Sequence, residues 1–114
     1  MEQDWTFRWE APVHEVFPAL HEATSAWLSA IDSIDAPDRR THELIRLVCQ
    51  VIVRNPAGVE RHAMLAAEVG ATWEDIVGSV LLTTPAFGVL AASQALGPAR
   101  SGYEAGVAAA NTDE

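Results

Sequence analysis

The chain has 114 residues, 49% of them hydrophobic, and a net charge of −9 in which all seven cationic side chains are arginine. Such a chain is expected to fold as one domain that buries roughly two-thirds of the surface its unfolded form exposes. The missing positive surface argues against nucleic acid as a partner, and the lack of lysine removes Schiff-base chemistry.

In chain order, the first signal is aromatic. Trp5, Phe7 and Trp9 alternate along residues 1–11. No second strand signal exists to pair with them, so the stretch reads as an extended arm that packs on a neighbouring subunit or on the first helix. From Pro12 to Ile31, apolar residues such as Val13, Phe17, Leu20, Trp27 and Leu28 recur at three- and four-residue steps. That predicts one amphipathic helix with Pro12 in its first turn.

Residues 32–38 form a turn into a second helix, which places Thr41, His42 and Glu43 in its first turns. The run that follows, Leu44 to Val53, is apolar on most sides and is expected to be buried or to meet another subunit. Cys49 lies within it and reads as a buried thiol acting as a small hydrophobe. Pro56 and Gly58 are expected to end this helix, and Val59 to Val69 to form a third, closed by Gly70.

Thr72-Trp73-Glu74-Asp75 has the pattern of an N-terminal cap with acids in the first turn of a fourth helix. Pro85 interrupts that helix, and a fifth, rich in Gly and Ala, follows from Phe87 to Leu96. Gly97-Pro98 is expected to end or kink it, with a last helical piece to Ala110 and a frayed tail over residues 111–114. The expected fold is all-α, a single-domain bundle of five to six helices.

The candidate chemistry centres on Glu43 and His62. Glu43, Leu47, Gln50 and Arg54 share one face at helical spacing. A tight reversal at Asn55–Gly58 would return the third helix beside the second, bringing His62 to Glu43 or Gln50. Arg54 and Arg61 bracket that break and are candidates to hold an anionic substrate. The bland alternatives are a hydrogen-bonded structural histidine, a Glu favoured by the helix dipole and solvated arginines. One cysteine makes no CxxC pair or thiolate zinc site, and the histidines lack HxxxH or HExxH spacing, so no metal is expected.

The region Asp38 to Leu96, about half of the chain, holds the segments RTHELIRLV (40–48), VERHAMLAAEVGATWEDI (59–76) and FGVLAASQAL (87–96). Together they resemble the carboxymuconolactone decarboxylase and alkylhydroperoxidase D-like family of small helical proteins. In the peroxidase branch a Glu, two cysteines spaced CxxC and a downstream His form a proton relay. Glu43 and His62 match the Glu and the His, whereas Asn55 and Gly58 stand at the two cysteine positions. Leu90 and Gln94 stand where the family often has Pro and Asn.

The resemblance implies the decarboxylase-like branch without thiol chemistry. It implies a cofactor-free lyase acting on a small carboxylated cyclic metabolite, in a homo-oligomer of three or six subunits. His62 would be the general acid/base, Glu43 its orienting partner, and Arg54, Arg61, Gln50 and Asn55 the substrate contacts. The alternatives are an isomerase, cyclase or dehydratase using the same pair, and a non-catalytic oligomeric binding or scaffold protein. No apolar run reaches the ~20 residues of a membrane span, and the first residues do not read as a signal peptide, so a cytoplasmic protein is expected.

Overall fold

The computed structural model describes residues 10–112, so the aromatic arm with Trp5, Phe7 and Trp9 lies outside the described residues. Two compact units make up the chain, Met1–Asp35 and Ala36–Glu114. The described residues form helices joined by short turns, without strands: α1 Glu10–Val16, α2 Pro18–Asp32, α3 Arg39–Ile52, α4 Pro56–Glu68, α5 Trp73–Leu81, α6 Thr84–Phe87 and α7 Val89–Thr112. The all-α expectation holds, and no described helix is long and apolar enough to cross a membrane.

In the first unit, the single helix expected from Pro12 to Ile31 is divided. Pro18 opens α2 and forces Phe17 out of the helical region, to φ −133 and ψ 70. No α2 side chain is buried.

The second unit holds the core. Asp38 caps α3, its carboxylate accepting from Thr41 N at 2.8 Å, and that bond holds the Asp38 carboxyl below the usual carboxylate range. α3 ends in a Schellman arrangement: Asn55 N donates to Gln50 O at 3.0 Å and Arg54 N to Val51 O at 3.1 Å. The residue at its left-handed position is Arg54, with φ +56. A side chain there costs about 1–2 kcal/mol that glycine would not. Arg54→Gly is therefore expected to raise the unfolding free energy by about 1 kcal/mol, read as a higher urea midpoint at unchanged slope.

Pro56 does not end α3; it starts α4. Its fixed φ suits the first helical position, where its missing N–H is unneeded. Asn55 caps this helix through Oδ1, which accepts from Gly58 N at 3.2 Å. The break between α3 and α4 is thus only Val53, Arg54 and Asn55, short enough to lay the two helices side by side. Gly70 closes the far end of α4 as expected, with φ +98 and Ala71 N donating to Ala66 O at 3.0 Å.

Thr72 and Asp75 form a reciprocal capping box at the start of α5, with bonds of 3.0 and 2.9 Å. α7 corrects the reading at Gly97-Pro98, because it runs unbroken through Pro98 to Thr112. Ala91, Ala92, Ala95, Ala99, Gly102 and Gly106 are buried on both sides of the proline. Packing along this seam, chiefly on α4, keeps both halves helical despite the missing N–H. The core joins these small residues to Leu47, Val51, Val59, Ile76 and Val80.

Cys49 is a second correction. It is exposed, in a stripe with the exposed Ile45 and Val53 on the outward face of α3.

Candidate functional site

α3 and α4 bring together the two residues that the sequence singles out. Glu43 is 4% exposed and His62 5% exposed. Glu43 Oε1 accepts from His62 Nδ1 at 3.0 Å across 19 residues of sequence. A carboxylate can only accept, so it selects the Nδ1–H tautomer and leaves Nε2 as the basic nitrogen. Burial pushes the His62 pKa below its ordinary value; the Glu43 bond opposes this, and the Arg46 charge adds to it. The imidazole is therefore neutral near pH 7.

Three more residues shape the pair, and the sequence reading missed them. Arg39 Nη2 lies 3.4 Å from Glu43 Oε2, and the buried His42 has Nε2 4.0 Å from the same oxygen. Arg46 supplies the charge that reaches His62. Arg39 was findable, because it precedes Glu43 by four residues on one helix. His42 was not, since an adjacent residue on a helix does not normally face its neighbour.

The other expected contacts separate into two groups. Arg54 and Asn55 line an open cleft of about 330 Å³. Its remaining walls are Val51 from α3, Pro56 and Val59 from α4, and Ala91, Gln94 and Ala95 from α7. Neither Glu43 nor His62 is among its walls, although His62 follows Val59 by three residues on α4. Arg61 is exposed and outside the cleft. Gln50 is not in it either. Its side chain lies against Gly58, where a Cβ would collide with Oε1, and Oε1 is buried without a hydrogen-bond partner. Of the four expected contacts, the structure thus places Arg54 and Asn55 in the cleft and Arg61 and Gln50 outside it.

Gln94, noted in the sequence only as standing where the family often has Asn, lines the same cleft. It stands on α7, some forty residues from Arg54, and only the pairing of α7 with α4 brings the two to one cleft. Among the described residues, no cluster of three or more His, Cys, Asp or Glu side chains could hold a metal ion. No protein-family model, curated protein or solved structure matches the chain.

Proposed function

We propose that the protein is a cofactor-independent acid/base enzyme acting on a small carboxylated metabolite, of the kind the decarboxylase-like resemblance implies. The observation that carries this is the buried His62 imidazole held by the Glu43 carboxylate at 3.0 Å, with its pKa depressed. His62 Nε2 exchanges the proton, Glu43 fixes the tautomer and stabilises the imidazolium when it forms, and Arg54 with Asn55 receives the anionic end of the substrate.

Two reactions fit that pair, and the protonation state orders them. An isomerisation begins from the neutral imidazole: Nε2 takes a proton from a carbon next to a carbonyl, the electron pair moves onto oxygen, and the same proton returns at another carbon. A decarboxylation breaks the bond to the carboxylate, leaves the pair on an enolate and needs the imidazolium to deliver a proton. The depressed pKa favours the first as the resting state. Activity rising with pH through the acid range to a plateau supports isomerisation; activity falling over that range, with carbon dioxide released from labelled substrate, supports the lyase.

His62→Ala is expected to lower turnover by about 10²–10⁴-fold, and an unchanged rate in a folded variant overturns the proposal. A second reading has its own observation. The cleft is lined by Arg54 and Asn55 but not by the dyad, which suits a binding protein whose Glu43–His62 bond only clamps α3 to α4. Ligand binding without turnover, unchanged in an enzyme assay by His62→Ala, would select it.

The reading includes a homo-oligomer of three or six subunits. Exposed Ile45 on α3 and Val53 just after it, and Leu81, Leu82, Phe87, Val89 and Leu90 around α6, offer apolar surface for subunit contacts. Light scattering after size-exclusion chromatography is expected to give a mass of three or six chains; a monomer removes this part of the proposal.

A further inference from the structure

We propose that the cleft between the α3–α4 turn and α7 binds a small organic monoanion with an apolar, ring-sized body, its carboxylate held by Arg54. As a substrate class this rests on the acid/base reading. As a binding site it stands on the cleft alone.

The lining divides by chemistry. Val51, Val59, Ala91 and Ala95 are each no more than 3% exposed and give the cleft an apolar floor. Polar groups come from three residues: Arg54, Asn55 and Gln94. Arg54 is the one charged residue of the lining, and no carboxylate joins it, on a chain whose net charge is −9. Asn55, whose Oδ1 accepts from Gly58 N at 3.2 Å, stands next to Arg54 in the lining. An arginine beside an apolar floor matches a carboxylate on a hydrophobic body.

Size and charge narrow the class further. A cavity of roughly 150 Å³ accommodates benzene, and this cleft of about 330 Å³ has room for a ring, a carboxylate and short substituents. A second anionic group would meet no second cation in the lining and would add to the repulsion from a chain of net charge −9. The cleft therefore selects monoanions over dianions. Arg54 adds an independent observation. It keeps a side chain at φ +56, where the turn would favour glycine, and backbone strain of this kind gathers at ligand-contacting positions.

The test is binding, read without turnover. Benzoate, cyclohexanecarboxylate, neutral benzamide and dianionic phthalate are titrated into the full chain by calorimetry and by protein NMR shifts. The expected result is saturable binding of the two monocarboxylates with a Kd of about 1 mM or tighter. Benzamide and phthalate are expected to bind at least about tenfold more weakly, and Arg54→Gln to cost benzoate a similar factor. Arg54→Gly gives a second check: it should unfold at higher urea and still lose benzoate, which a merely destabilised variant cannot do. Absence of saturable monocarboxylate binding, equal binding of benzamide, or full affinity in either Arg54 variant overturns the inference. Failure of His62→Ala to change turnover would overturn only the acid/base reading and leave the cleft assignment intact.

Discussion

Glu43→Ala is expected to lower the free energy of unfolding by about 3 kcal/mol, within a total of roughly 5–15 kcal/mol for a domain of this kind. The Glu43 side chain is buried and meets three basic groups at once: His62 at 3.0 Å, Arg39 at 3.4 Å and His42 at 4.0 Å. Removing it strands the Nδ1–H of His62 in the interior and leaves a void between α3 and α4. Glu43→Gln keeps the volume and an oxygen acceptor for Nδ1–H, so its cost is expected to be smaller, about 1 kcal/mol. Urea midpoints at unchanged slope measure both. A Glu43→Ala variant as stable as the parent would show that the bond does not hold the helices together.

The same pair sets a pH dependence with a definite sign. The folded His62 pKa lies below the ordinary histidine value of 6.5, so the unfolded chain binds the proton more readily than the folded one. His62 therefore contributes its full stability above pH 6.5. That contribution is lost as the pH falls through the folded pKa, and it levels off below. Glu43 is the influence that raises the His62 pKa. Glu43→Gln is accordingly expected to push the His62 titration to lower pH and to deepen the acid-side loss. The histidine ring proton shifts read the first effect, and urea midpoints across the acid range read the second. The capping carboxyls of Asp38 and Asp75, both held below their usual range by their backbone hydrogen bonds, act at lower pH still.

Local rules made part of this fold legible in advance. The capping box at Thr72 and the left-handed Gly70 each depend on a few adjacent residues and are found where the pattern places them, whereas the short turn after α3 lies at Val53–Asn55, ahead of the expected Asn55–Gly58. The Glu43–His62 pairing was readable for the same reason, because a tight turn between two helices fixes which residues face each other. An end at Pro98 was the wrong alternative because helix propensity is a local quantity, whereas α7 continues past the proline with a seam of buried residues on both sides of it. Cys49 was misread because hydrophobicity alone cannot say which side of a mostly apolar helix faces out. The cleft was half-legible: Arg54 and Asn55 are adjacent in sequence, and Gln94 joins them only through tertiary packing.

That seam carries the second large effect. A Cβ on Gly102 would collide with the Glu60 carbonyl oxygen and come within 3.1 Å of the Ala63 Cβ. A Cβ on Gly106 would collide with the Met64 carbonyl oxygen and approach the Ala67 Cβ to 2.7 Å. The obstructing atoms belong to the α4 backbone and to short side chains, so no rotamer change relieves them; α7 must move off α4. Overpacking of this kind costs about 1–3 kcal/mol or more, against about 1 kcal/mol gained when alanine replaces glycine in a helix. Gly102→Ala and Gly106→Ala are each expected to destabilise the fold by about 2 kcal/mol. Gly78→Ala on α5, where nothing lies within 4 Å of the added Cβ, should instead be neutral or stabilising. Because one displacement of α7 relieves both collisions, the double variant should cost less than the sum of the singles. The same displacement separates Val59 on α4 from Ala91, Gln94 and Ala95 on α7, which together wall the cleft. Both glycine variants are therefore expected to weaken monocarboxylate binding at urea concentrations where they remain folded. Full affinity in either would mean that the cleft does not depend on how closely α7 approaches α4.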